Sequence, residues 1–240
     1  LHFVKFKNQI AMSNKKNVEI EGLENVEEAL SRTEKFIEEN QKIILMVVAA
    51  IAIIVLGYFG YVNYIFKPKV EEAAASMYQA ERYFEQDSLK LALYGDGNNF
   101  GFLYIIDEYS GTPSANLAKY YAGVSYLHLG DYDKAIDFLL DYNGKDLLIK
   151  TLALSALGDA YAQKGNLEKA AKYYLEAAEN KADKFNVPLC LLKAGAAFEE
   201  LNKYEKALKV YRQIETEYSD SREARGIEKY IARVEGLLKK

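Results

Sequence analysis

LALSALGDAYAQKGNLEKAAKYYLEAAE, residues 152–179, decides the fold. Its glycine, Gly158, is followed at offsets 3, 7, 12 and 16 by Tyr161, Gly165, Ala170 and Tyr174. The same offsets hold Gly123, Tyr126, Gly130, Ala135 and Leu139 in ANLAKYYAGVSYLHLGDYDKAIDFLLDY (115–142). They hold Gly195, Phe198, Asn202, Ala207 and Tyr211 in PLCLLKAGAAFEELNKYEKALKVYRQIETEY (188–218). Self-similarity at a period of about 35 residues is the mark of stacked supersecondary units, none of which buries its apolar face alone.

The residue types at these offsets have the chemistry of paired helices. Glycine at offset 0 removes a side chain where the first helix of a pair is crossed closely, and the aromatic ring at offset 3 fills space one turn later. Alanine at offset 12 gives the second helix a small surface. Glycine or asparagine at offset 7 tolerates the left-handed backbone that ends a helix. The following GDYDKA, GNLEKA and NKYEKA then combine turn residues with a helix start. The expectation is an all-α chain whose helix pairs occupy 70–240. A divergent copy comes first, with Ala80, Tyr83 and Ala92 at offsets 0, 3 and 12 in ASMYQAERYFEQDSLKLAL (75–93). YGDGNNFG (94–101) interrupts it, so its second helix is read as broken or extended by an insertion. Residues 225–240 are read as a terminal capping helix that shields the last repeat.

These stretches resemble the tetratricopeptide repeat family, from Val70 to the C-terminus. One departure is EYSDS (217–221), where the family usually carries proline. The resemblance implies a helical solenoid that binds proteins or peptides on its concave face.

Upstream lies IILMVVAAIAIIVLGYFGYVNYIF, residues 43–66, uncharged between Lys42 and Lys67. Its 24 residues reach roughly 36 Å as a helix, enough to cross a hydrocarbon core of about 30 Å with some tilt. Tyr58, Phe59, Tyr61, Tyr64 and Phe66 suit the headgroup region, where amphipathic rings settle. The competing readings are a buried core helix and a cleaved signal peptide. The rest of the chain offers no layer hydrophobic all round to cover such a helix, and the preceding segment is too long and too rich in glutamate for a signal peptide. The span is therefore read as an uncleaved single-pass anchor. Gly57 and Gly60 lack the small-xxx-small spacing of helix association.

Residues 1–42 form a leader. Leu1–Ala11 precede Met12, and MSNKKNVEIEG reads as a natural start, so the first eleven residues are left out of fold reasoning. NVEEALSRTEKFIEENQ (25–41) places Val26, Leu30, Thr33 and Ile37 on one stripe, a short amphipathic helix that is either solvated or a docking site. Seven basic residues face eight acidic ones before the span, and 24 face 27 after it. That balance lacks the basic excess that phosphate backbones require, which argues against nucleic acid. Basic residues close to the span are nearly even on the two sides, with Lys15 and Lys16 tipping the leader toward the cytoplasm.

No catalytic constellation is present. His2 and His128 are the two histidines, no metal-ligand spacing occurs, and GDGNNFG lacks the strand a phosphate loop needs. The single cysteine, Cys190, lies on an apolar helical face and reads as a buried thiol. The chain is read as a non-enzyme without cofactor, metal or small-molecule substrate. Counting from the repeat glycines, the inward candidates are Tyr120, Val124, Leu127 and His128, then Ser155, Asp159 and Gln163, then Leu189, Leu192 and Glu199. Family members that grip a C-terminal carboxylate use lysine and asparagine where Tyr120 and Val124 stand. A groove of mixed apolar, aromatic and acidic character suits an amphipathic helix or an extended unfolded segment. Some of these side chains are equally able to pack against the chain's own terminal helix.

Leader, anchor and divergent first repeat look like the YfgM-like branch, and ENVEEALSRTEKFIEENQK (24–42) with YGDGNNFGFL (94–103) look like its Bacteroidetes members. The resemblance implies a bacterial inner-membrane protein with a cytoplasmic N-terminus and periplasmic repeats. It implies translocon subunits, chaperones or secreted chains as partners, alongside the lipid bilayer. The function expected from it is that of an accessory of the Sec translocon and periplasmic chaperones, and a scaffold for envelope assembly or division is the alternative.

Overall fold

The computed structural model describes residue 32 and residues 34–239. Leu1–Ala11 and the stripe positions Val26, Leu30 and Thr33 lie outside the described residues, while Ile37 is helical and exposed. Among the described residues every regular element is a helix.

Two compact units divide at residues 65 and 66. The first contains helix α1, residues 34–61, which leads into a π-helical segment, Val62–Phe66. Leu45, Met46, Ile53, Ile54 and Leu56 are all exposed, and the helical stretch is long and apolar enough to cross a membrane. The polar Asn63 bonds within the helix, its Nδ2 donating to the Phe59 carbonyl at 2.9 Å. An amide that satisfies itself on its own backbone is cheaper to place in an apolar medium.

The second unit is the solenoid. It comprises α2 (Lys67–Glu85), α3 (Leu89–Tyr94), α4 (Phe102–Glu108), α5 (Pro113–His128), α6 (Tyr132–Asp141), α7 (Leu147–Gln163), α8 (Leu167–Ala177), α9 (Asn186–Glu200), α10 (Tyr204–Glu217) and α11 (Ile227–Leu238). Successive helices pack in sequence order, and α5 also touches α7 as α7 touches α9. Residue identity explains each turn. Asp87, Gly130, Gly165 and Asn202, all seven residues after the repeat's small residue, adopt positive φ of 56°, 81°, 75° and 55°. The helix starts that follow two of them are capped, since Asp131 and Asn166 side chains accept from the backbone N–H of Lys134 and Lys169. The final helix begins at Ile227, two residues later than the reading from Arg225, because Gly226 is left-handed with φ 82°.

In the first copy the second helix is split into α3 and α4 by residues 95–101. Asp96 organises that loop, accepting from the backbone N–H of Asn98 and Asn99 at 2.9 and 2.7 Å and from the Tyr83 hydroxyl at 2.7 Å. These donors hold its carboxyl well below the usual range, the Tyr83 bond most of all. Beyond the loop, Phe102 is fully buried and stacks on Tyr121 with centroids 5.1 Å apart.

The core follows the offsets. Gly123, Gly158 and Gly195 lie beneath Leu139, Tyr174 and Tyr211, the offset-16 residues of their own repeats. A Cβ at Gly123 would stand 2.6 Å from Leu139 and one at Gly158 2.5 Å from the Tyr174 ring, and Tyr211 approaches Gly195 closer still. The offset-3 rings sit one turn away. Tyr126 stacks on Phe138 and Tyr161 on Tyr173, while Lys134, Lys169 and Lys206 lie over Tyr126, Tyr161 and Phe198 at 5.0, 4.8 and 5.7 Å.

Glycine substitutions separate these roles. Gly158→Ala overpacks a buried ring and is expected to cost about 1–3 kcal/mol, lowering the Tm by roughly 3–10 °C. Gly236→Ala fills open space on an exposed part of α11 and is expected to stabilise by about 0.5–1 kcal/mol. Thermal unfolding followed by circular dichroism checks both signs.

Candidate functional site

The inward face is assembled from the first helices of three repeats. α5 carries Tyr120, Val124, Leu127 and His128, α7 carries Ser155, Asp159 and Gln163, and α9 carries Leu189, Leu192 and Glu199. Because α7 lies against both neighbours, the three faces adjoin. Leu127, Asp159 and Gln163 come together around a pocket of about 310 Å³, joined by Tyr132, Ala162 and Tyr174.

Charge on this face is compensated from within. Asp159 accepts from both the Tyr174 hydroxyl at 2.7 Å and Lys193 Nζ, which reaches its two oxygens at 2.8 Å each. Glu199 accepts from the Tyr211 hydroxyl at 2.6 Å and from Arg233 Nε and Nη2 at 2.8 and 2.7 Å. Arg233 belongs to α11, so Glu199 ties α11 to α9. Burial raises both tyrosines well above the usual phenol range, and their carboxylate acceptors add to it. Both rings stay neutral donors.

The apolar candidates divide into two groups. Tyr120 is half-buried, its ring 5.3 Å from Tyr121 and 6.0 Å from Tyr142, and burial pushes its hydroxyl up to about 12. Val124, Leu127 and Leu192 likewise pack on the core. Tyr120 is thus a wall of the repeat rather than a free anchor. Leu189 is 40% exposed, Leu192 is half-buried, and His128 and Gln163 face solvent. Ser155 is half-buried beside Cys190, whose thiol is buried and raised by that burial.

Several residues of this face escape a reading by glycine offset. Tyr174, Lys193, Tyr211 and Arg233 complete the two carboxylate networks. A signal for the two tyrosines exists within the chain: offset 16 is tyrosine in the two repeats whose first helix carries Asp159 or Glu199 inward, and leucine in the repeat that carries Val124. Phe185 and Leu148, 85% and 49% exposed, stand seven residues before Leu192 and Ser155, at the N-cap of α9 and in the first turn of α7, and extend the apolar stripe to the helix starts.

Three segments, 103–146, 153–185 and 189–221, match models described as tetratricopeptide repeat. No curated protein matches the chain. Among solved structures it is similar to the nearly identical TPR-like repeats of a protein described as a putative kinesin light chain from Podosopora anserina, in two crystal structures, one of them of a single-residue variant. Each has 13% identity, covers 70% of this chain and 87% of its own, and superposes with a TM-score of 0.51. BtubC (BKLC) from P. vanneervenii has 16% identity over 72% of this chain and 66% of its own, at a TM-score of 0.41. These three segments are tetratricopeptide repeats by that match, and repeats of this kind indicate a protein–protein interaction module.

Arg233→Ala leaves Glu199, whose side chain is 13% exposed, without its cation. The expected loss is about 1–3 kcal/mol, with α11 amides exchanging with solvent faster than those of α7. Hydrogen exchange read by mass spectrometry checks it. Alkali gives a second test. A tyrosine raised in the folded state binds its proton there while the unfolded chain releases it, so the stability Tyr120 contributes is full below about pH 10 and lost as pH rises through about 12. Urea unfolding between these pH values is expected to show a shallower decline for Tyr120→Phe.

Proposed function

We propose that this protein is anchored in a bacterial inner membrane by α1 and captures apolar or amphipathic protein segments on the face formed by α5, α7 and α9. One observation carries the reading. Asp159 and Glu199 are neutralised by Lys193 and Arg233, so the exposed side chains left to a partner are the apolar Leu148, Phe185 and Leu189, with the half-buried Leu192 beside them. Burying a leucine or phenylalanine contributes about 1.5–3 kcal/mol, and a row of four offers enough for micromolar capture after ordering costs. Surface of that kind suits a helix presenting one apolar face or an unfolded secreted chain. The exposed apolar α1 supports the anchor, and Lys15 and Lys16 in the leader favour a cytoplasmic N-terminus with the repeats on the periplasmic side. In that position the module serves as an accessory that receives secreted chains near the Sec translocon or passes them to chaperones.

Crosslinking from position 189 in intact cells tests the role. Translocon subunits and nascent secretory chains are the expected adducts, whereas septal or wall-synthesis proteins instead would replace this reading with a scaffold. Leu189→Ala with Leu192→Ala is expected to weaken capture about fivefold or more while circular dichroism stays unchanged. Undiminished capture by that folded variant would remove the face as the binding surface. Protease added to spheroplasts is expected to cleave the repeats; protection until the inner membrane is broken would reverse the orientation.

A further inference from the structure

Offset 19 from the repeat glycine is Ala177 in one copy and Ile214 in another, both buried inside their helices. In the Gly123 copy the same offset is Tyr142, and there the helix stops. Tyr142 is the C-cap of α6, with an extended ψ of 126°, and the chain stays non-helical to Asp146. Its phenol turns toward Tyr120 and lies over Gly144, where any Cβ would collide with the hydroxyl. The early stop leaves a cavity of about 750 Å³ between the end of α6 and α8, with α7 and the start of α5 as its other walls. That size falls within the range of about 300–1,000 Å³ typical of ligand pockets.

The lining combines two chemistries. Leu140, Leu154 and Tyr173 give an apolar wall, and Lys119, Lys150 and Lys172 stand among the polar residues. Lys119 is already paired with Asp141 at 2.6 Å. Among the described residues neither Lys150 nor Lys172 has a carboxylate in ion-pair contact. Glu176 is the one other acid on the wall, so a net positive charge remains. The non-helical segment also offers main-chain groups: the Asn143 N–H donates to Asn116 Oδ1, but the peptide N–H and C=O of Gly144 and Lys145 bond to no other described residue. Unpaired backbone groups beside an apolar wall offer main-chain hydrogen bonds to an extended chain laid against them.

We infer that this cavity is a second peptide-binding site, separate from the inward face, which takes an extended segment presenting an apolar side chain next to one carboxylate. The apolar side chain enters between Leu140, Leu154 and Tyr173, the carboxylate meets Lys150 and Lys172, and the peptide backbone pairs with residues 144–145.

Fluorescence anisotropy on the full chain in detergent micelles tests this with a fluorescein-labelled, end-capped peptide, Gly-Ser-Leu-Glu-Leu-Ser-Gly. Saturable binding is expected, weakened about fivefold or more when the glutamate is replaced by glutamine and about tenfold or more in the Lys150→Glu, Lys172→Glu double variant. Both lysines are exposed, so the variant is expected to keep the parent circular dichroism spectrum. Leu189→Ala with Leu192→Ala, which tests the inward face, is expected to bind this peptide as the parent does, so the two readings fail independently. Absence of saturation, equal binding of the glutamine peptide, equal binding by the folded double-lysine variant, or loss of binding in the Leu189, Leu192 variant would each overturn the inference.

Discussion

The close crossing at Gly123, Gly158 and Gly195 is the constraint on which the solenoid depends. Without a side chain there, the offset-16 residue of the second helix reaches across the first. Where that residue is tyrosine its ring fills the gap and its hydroxyl emerges on the far side, at Asp159 or Glu199. A single missing Cβ thus sets the approach of two helices, the identity of the core residue above it and the position of a polar group on the inward face. Small-to-large changes at such a point are felt throughout because interiors are packed to crystal-like density.

The same geometry decides how charge is distributed. An acid on the first helix of one repeat pairs with a base 34 residues later, Asp159 with Lys193 and Glu199 with Arg233. Near the turns, Asp133 pairs with Lys164, and Glu168 with Lys203 at 2.5 Å. Each pair joins neighbouring units only. Exposed pairs contribute little individually, but those accepting several hydrogen bonds in half-buried positions fix register between repeats. What they withdraw from the surface matters as much: carboxylates used between repeats are not offered to a partner, and the inward face becomes apolar in effect.

The repeat architecture was legible because its determinants are local. The left-handed stops at Gly130, Gly165 and Asn202 follow from residue types that tolerate positive φ, and the crossing glycines from their recurrence. Asp87 was harder to see, since aspartate is a less common occupant of that conformation than glycine, yet it stands at the same offset. The candidate site was legible only as positions. Offset arithmetic placed Asp159 and Glu199 inward but gave no sign of Lys193 or Arg233, which come from the next helix and depend on how pairs stack. The same arithmetic placed Tyr120 inward without showing how far it is covered. Its burial depends on Tyr142, a residue whose effect is to end a helix rather than to extend one.

Pairing restricted to nearest neighbours also sets an order in time. Helix pairs with short-range contacts form quickly and can do so as the chain emerges from the ribosome, each new pair docking on the one before it. α11 is made after α10, on which it packs. Until it arrives, Tyr211 and Glu199 form the growing edge, and the carboxylate that Arg233 will hold stays hydrated and charged. A hydrated charge disfavours apolar association, so the carboxylate that later ties α9 to α11 first opposes sticking of the uncovered edge to other chains.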